Sequence, residues 1–415
     1  MNPEGIAQGR SVIVEFCEGP LALEKHYDVV IAGGGIIGSA CAYFLAQDAN
    51  FTGSIAVIEP DPFYSKAATT LSASSIRQQF SSPINIAISR FGFEFLRQAS
   101  SALAIEDVEP DIGLVESSYL YLASELGAKA LQQNVEVQLT SGVPVTLCNS
   151  NNLQLRYPWL NVTDIVAGAF TEQGEGWFDS YQLLMSLKKK AVESGAEYVV
   201  SQVKDIGLHN SRKVRGVTLS DGSHIQCEHF VNATGTNGRA IASKLDIEIP
   251  VFPRMRCVYV FKCKAPIGDC PLVIDPSGLW FRPEGSQFIC GLPPSPDNNV
   301  EATDFVVDHE LFEDRIWPLL ANRVPDFNEI KLTNSWAGHY DYNTFDQNAI
   351  VGPHPEIENF IFANGFSGHG LQQAPAIGRG ISEYITYGHY RSLDLSPLSF
   401  NRLVNNLPLI EANII

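Results

Sequence analysis

A β-branched run that leads into a glycine turn, YDVVIAGGGIIG at 27–38, most constrains what this chain can fold into. Residues 28–32 suit a buried parallel strand, and a helix is predicted to begin near Ile36. The turn fits G-x-G-x-x-G with Gly33, Gly35 and Gly38 in the glycine positions. The first glycine permits the tight turn. The second lets backbone approach a pyrophosphate, and the third lets helix and strand pack closely. The helix start offers unpaired N–H groups and a positive dipole to a diphosphate. A second strand is predicted over 54–58 and ends at Glu59, where a carboxylate that grips a ribose hydroxyl belongs. A glycine-rich turn without a ligand is the competing reading. The strand, the helix and the acidic residue together favour a dinucleotide over it, with NAD and FAD both open.

The 415 residues give room for roughly two or three domains. Hydrophobic residues make up 45%, enough for a substantial core. The net charge of -18 leaves no cheap basic face, so no nucleic-acid partner is expected. Eight cysteines include no C-x-x-C pair, so reduced thiols and no metal site are expected. Residues 1–26 read as an N-terminal extension with a candidate strand at 11–14. Glu4, Arg10, Glu15, Glu18 and Glu24, with no long apolar stretch, fit neither a secretory signal nor a transit peptide. Residues 29–46 are uncharged and long enough to raise a transmembrane query. The strand–glycine–helix pattern explains them better. A soluble, cytoplasmic protein with no integral membrane segment is expected.

Further along, residues 67–80 form a small, polar loop that carries Arg77 and leads into a helix at 83–97. A strand is predicted over 113–124 and a helix over 126–137, then a short strand at 166–170. Residues 179–194 read as a helix with Leu183, Leu184, Leu187 and Ala191 on one face. Strands follow at 198–203, 214–219 and 229–233. Short strands at 256–262, 272–274, 279–282 and 287–291, separated by Pro and Gly, have the composition of an antiparallel sheet. A helix over 305–322, strand and loop over 334–352 and a strand at 360–363 come next. GFSGHG at 365–370 then opens a helix over roughly 373–387, with Pro375 in its first turn.

Four features occur in one order: the glycine turn with Glu59, the 176–179 passage before a helix, NATG at 232–235, and GFSGHG at 365–370. The set resembles the D-amino-acid oxidase superfamily of FAD enzymes, in the branch holding sarcosine oxidase, dimethylglycine dehydrogenase and glycine oxidase. The likeness runs from about residue 28 to the C-terminus and implies FAD rather than NAD. It implies an α/β (α+β) two-domain fold: a Rossmann-like FAD-binding domain over 27–110, 165–250 and 335–415, and an antiparallel-sheet substrate domain over 111–164 and 251–334. By the same resemblance, Gly33, Gly35, Ile37 and Gly38 hold the pyrophosphate and Glu59 the adenosine ribose. Val203 flanks the adenine, and Ala233 and Gly235 carry backbone past the cofactor. Ser72, Ser74 and Ser75 lie along the diphosphate and flavin. Gly365, Gly368, His369, Gly370, Leu371 and Gln372 run under the flavin ring, and the following helix points at its pyrimidine edge, where reduction places negative charge.

Some members of this superfamily attach the flavin through a late cysteine or an early histidine. No cysteine follows Cys290, His339 stands at the nearest ungapped counterpart, and no histidine lies between His26 and His209. Non-covalent FAD is therefore expected. Sarcosine-oxidase-like members also bind the substrate carboxylate with a lysine two residues past the GFSGHG run, where this chain has Gln372. A neutral amide cannot supply that charge, which leaves Arg77 and Arg256 as candidates.

The activity implied is hydride transfer from the carbon beside an amine nitrogen to flavin, with the imine then hydrolysed in water. The substrate is an amino acid or a secondary or N-methyl amine, and oxygen or another acceptor takes the electrons. His369, Arg77, Tyr340 and Gln372 are the candidate catalytic residues. Backbone-bonded histidine, ion-paired arginine and core tyrosine are the bland alternatives for the first three. Lys262 and Lys264 are candidates for positive charge near the flavin. The runs SSIRQQF, EGWFD, SWAGHYDYNTFDQN and GFSGHGLQQAP resemble most a subgroup linked to assembly of a respiratory complex. A flavoprotein with an assembly role and little turnover is the second function class.

Overall fold

The computed structural model describes residues 25–210 and 212–411; the candidate strand at 11–14 lies outside them. Val29, Val30 and Ile31 are wholly buried, as a parallel strand covered on both faces requires. Their strand, Lys25–Ala32, pairs in parallel with Ile55–Glu59 on one side and His224–Asn232 on the other. Glu197–Val200 extends the sheet beyond Ile55–Glu59, and Phe360–Asn364 pairs in parallel with His224–Asn232. Antiparallel strands Val203–His209, Lys213–Leu219 and Ile350–Pro353 complete eight strands.

On one face of this sheet the Ile36–Gln47 helix packs against the Gly370–Tyr387 helix, through residues such as Ala40, Ile377 and Ile381. The other face buries Phe230, Phe360 and Phe362. Each such ring contributes ~2–3 kcal/mol by leaving water. The sheet therefore takes its last parallel strand from far along the chain, with Phe360 paired to Phe230.

A second eight-stranded sheet runs Ile330–Asn343, Val251–Cys263, Gln287–Gly291, Trp280–Glu284, Leu272–Ile274, Tyr119–Ala123, Ala167–Thr171, Val145–Asn149. It is antiparallel except where Leu272–Ile274 meets Tyr119–Ala123. A three-stranded sheet of Ser75–Ile76, Glu175–Trp177 and Val115–Ser117 joins the two.

Several elements differ from expectation for identifiable reasons. The strand predicted over 113–124 is two strands in different sheets, Val115–Ser117 and Tyr119–Ala123. The break at Ser118 is fixed where the Tyr119 amide donates to Glu175 at 3.0 Å and the Ser118 carbonyl accepts from Leu272 at 2.9 Å. Val203 begins a strand rather than ending one. The helix predicted from 305 begins at His309, because the Asp308 carboxylate caps it by accepting the Leu311 amide at 2.9 Å. The Gly370–Tyr387 helix starts three residues before the predicted bound, so Pro375 lies in its interior rather than its first turn, where it removes one helical hydrogen bond. Among the described residues, no helix is long and apolar enough to cross a membrane.

Candidate functional site

The glycine turn forms one end of a cleft of about 390 Å³. Gly33 sits at φ +94, in the left-handed region, and a Cβ there would meet the Ala233 carbonyl oxygen at 2.3 Å. At Gly38 a Cβ would fall 1.9 Å from the Gly33 carbonyl oxygen. Gly38 therefore seals helix to strand and does not itself line the cleft. Gly33, Gly35 and Ile37 do line it, together with Glu59, Val203, Ala233 and Gly235. Glu59 accepts the Gly34 amide at 2.8 Å and the Asp61 amide at 2.9 Å. Burial raises its carboxyl above the ordinary value, opposed by those two amides.

The far wall comes from the turn at 365–370 and the strand beside it. Gly368, Gly370 and Leu371 line the cleft, as do His339, Tyr340 and Asp341. Gly365 does not; its amide donates to Asp341 at 2.7 Å.

Beside the cleft lies a cavity of about 90 Å³. Ser72, Tyr340, Gly368 and Leu371 border both spaces. Ser74, Ser75, Arg77, His369 and Gln372 line the smaller one, with Tyr119, Leu272, Ile274 and Trp280 as largely apolar wall. The structure thus brings the catalytic candidates together. Arg77 is 3% exposed, with Nη2 3.1 Å from His369 Nε2. A guanidinium has no lone pair to give, so Nε2 is the acceptor and the His369 proton sits on Nδ1. The guanidinium lies 4.5 Å from the Phe80 ring centre and 5.8 Å from that of Tyr121. Burial first, and then the Arg77 charge, hold His369 well below the usual histidine range. Both favour the neutral imidazole over the imidazolium.

Gln372 is tied to the Arg77 loop. Its Oε1 accepts the Arg77 amide at 2.9 Å and the Ser89 hydroxyl at 3.2 Å, so it fixes the backbone that presents Arg77. Arg256 is engaged elsewhere: Nη1 and Nη2 donate to Asp297 at 2.8 and 2.9 Å, and its guanidinium lies 5.0 Å from the Tyr340 ring centre. The Tyr340 ring rests against Gly368. Tyr342 stacks under Arg254 at 3.8 Å and borders neither space. Lys262 and Lys264 are exposed, and Lys264 lies 3.7 Å from Glu329. Solvent, rather than a cofactor, is their setting.

Three residues escaped the sequence reading. Glu175 is wholly buried and accepts from the amides of Gln78, Gln79 and Tyr119, from Gln79 Nε2 and from the Thr171 hydroxyl. It stitches the Arg77 loop to the wall strand that carries Tyr119. Asp341 holds the 365–366 amides. Tyr64 is 1% exposed and borders the cleft, and its buried hydroxyl has no partner among the described residues. For Glu175 a signal existed, since a carboxylate opens EGWFD just where a buried strand begins.

The cleft fits a dinucleotide. Backbone turns without side chains at one end, a ribose-side carboxylate is already oriented, and an orphaned hydroxyl can take a ligand partner. A family model described as FAD dependent oxidoreductase, the DAO family, matches residues 28–384. The chain belongs to the DAO family. FAD is the cofactor of that family and of this member.

Among proteins similar to this DAO-family chain is the "FAD-dependent oxidoreductase domain-containing protein 1" of Xenopus laevis, 40% identical over 94% of this chain and 85% of that protein. Glycine oxidase of Geobacillus kaustophilus is 25% identical over 93% of this chain and 99% of the relative. The structure of L-proline dehydrogenase from P.horikoshii shares the fold at TM-score 0.82, with 24% identity over 93% of this chain and 100% of that one.

Proposed function

We propose that the chain oxidises the C–N bond of a small amino acid or secondary amine, with the substrate held in the cavity that contains Arg77. The observation that carries this is a buried guanidinium lining a cavity that shares Ser72, Tyr340, Gly368 and Leu371 with the cofactor cleft. Bound FAD supplies the hydride acceptor. Arg77 engages the substrate carboxylate, and His369 positions Arg77 by accepting from Nη2. Tyr119, Trp280, Leu272 and Ile274 exclude water and carry the substrate's apolar part, while Tyr340 borders the reacting centre. A buried space next to a guanidinium disfavours an ammonium, so the amine is held neutral, as hydride loss from the adjacent carbon requires. The relatives' printed names, glycine oxidase and L-proline dehydrogenase, agree with a small amino-acid substrate.

Gly33, Gly35 and Ile37 take the diphosphate, Glu59 the ribose, and Val203 flanks the adenine. Ser72, Ser74 and Ser75 would lie on the flavin side, with Gly368, Gly370 and Leu371 facing the cofactor from the turn and the helix start. Strand membership favours an FAD-binding part that excludes Ala167–Thr171 and Ile330–Asn343, since both pair into the second sheet.

FAD is held without a covalent bond. Among the described residues no cysteine borders the cleft, although His339 does. Acid precipitation is expected to leave the flavin in the supernatant, and a yellow pellet would refute this. The activity itself is tested by mixing the purified yellow protein anaerobically with amino acids and N-methyl amines and following flavin bleaching. If no compound bleaches it and the protein co-purifies with a respiratory complex, the assembly role replaces catalysis. Re-aeration of a bleached sample separates oxidase from dehydrogenase.

A further inference from the structure

Asp341 is a carboxylate in a place where a neutral acceptor would serve the fold equally well. It lies in the Ile330–Asn343 strand, is 8% exposed and borders the cofactor cleft. Its Oδ2 accepts the amides of Gly365 at 2.7 Å and Phe366 at 3.2 Å. Its own carbonyl accepts the Ser367 amide at 3.1 Å, and the Ser367 hydroxyl accepts the Asn343 amide at 3.0 Å. The strand thus moulds the turn that opens the Gly370–Tyr387 helix. An asparagine oxygen could accept the same two amides. Burying a charge instead is costly, and among the described residues this one has no cationic partner: what shifts it is burial and its backbone hydrogen bonds.

The surroundings are quiet. His339 and Tyr340 neighbour Asp341 on its strand, and His369 lies on the turn. Burial pushes both histidines below the usual range, towards the uncharged imidazole. Across the sheet Pro253 faces Asp341, and the adjacent Arg254 is committed to Asp297 at 2.8 Å. Burial raises the Asp341 carboxyl to about 6, against the pull of the Phe366 and Gly365 amides. The group therefore changes charge just below neutral pH.

We propose that Asp341 sets the reduction potential of the bound flavin, its ionised carboxylate opposing reduction and its protonation relieving that opposition. Two electrons arriving on the flavin add negative charge to a poorly screened cleft that Asp341 borders, with Glu59, Asp61 and Lys66 elsewhere on its wall. Linkage makes the effect reciprocal, so reduction raises the affinity of Asp341 for a proton. At a pH just above its titration, reduction by two electrons draws one proton from water onto Asp341, in addition to those the flavin takes itself. The inference rests on FAD occupying the cleft and not on any substrate.

The test uses the flavin-loaded protein without substrate, reduced slowly in equilibrium with a reference dye between pH 5 and pH 8. Asp341→Asn keeps an acceptor oxygen and removes the charge. The native protein and D341N are expected to share one potential at pH 5. At pH 8 the variant should be easier to reduce by about tenfold in the flavin–dye equilibrium constant, ~30 mV for a two-electron couple. Equal potentials at both pH values in flavin-saturated samples would overturn the proposal. If D341N holds no flavin, the infrared difference spectrum of the native protein at pH 7 decides. A carboxylic-acid carbonyl band that grows on reduction supports the assignment, and its absence overturns it.

Discussion

The two ends of the ligand space are built from different materials. At the Gly33 end the wall is mostly backbone. A strand, a turn and a helix that are consecutive in the chain create it, and side chains matter chiefly where they are missing. At the Arg77 end the wall is side chains delivered by the 72–77 loop, the second sheet and the turn before the last long helix. Each of those is held by a partner from elsewhere: Arg77 by Gln372, Tyr119 by Glu175, the turn by Asp341. The first end is a fixed binding device that many cofactor-dependent chemistries can share. The second is built from side chains that hold one another, so a change at one is felt at its partner.

That contrast can be broken or sharpened by substitution. Gly38→Val is expected to have the largest effect, because the overpacked helix–strand contact should cost about 3 kcal/mol and leave a colourless protein. An unchanged urea midpoint would show that the contact is not rigid. Gly35→Leu should separate folding from binding. A Cβ there first meets Thr69 at 3.7 Å, so the chain folds, but the side chain occupies the cleft and no flavin should co-purify. Full yellow colour in that variant would remove the glycine turn from the site.

Arg77→Met should retain flavin yet bleach about a hundredfold more slowly with an acidic substrate, read by anaerobic stopped flow. Equal slowing with amines that lack a carboxylate would assign Arg77 to structure instead. His369 offers a smaller effect that depends on pH. Its folded-state pKa is depressed, so the unfolded chain takes up a proton below about pH 6.5 that the folded chain refuses. Stability is therefore lost as pH falls through that window. In His369→Asn the difference in urea midpoint between pH 7 and pH 5.5 should shrink. An undiminished difference would mean that the folded protein carries an imidazolium. Lys262→Ala and Lys264→Ala should alter bleaching rates by less than about twofold, as exposed positions usually do.

The Gly33 end was legible in the sequence because its information is local: an apolar run, three glycines and an acidic residue within one βαβ unit. The Arg77 end was legible only as a set of residue types. Nothing near Gln372 in the chain indicates that its amide faces the Arg77 backbone, 295 residues away. Asp341 was hidden in the same way, since a lone aspartate between tyrosines has no pattern of its own. Pro375, as a first-turn residue, predicts a later start than the Gly370 at which the helix begins. Burial of the helix, with Ala374, Ala376 and Ile377 all enclosed, overrides that local preference.

The pairing of His224–Asn232 with Phe360–Asn364 also bears on how the protein comes into being. A ribosome delivers the glycine turn early, but the opposing wall of its cleft emerges only after the second sheet has been made. The two walls of the cleft face each other only once residues 368–371 have been made, so yellow colour should report that the Gly370–Tyr387 helix has docked.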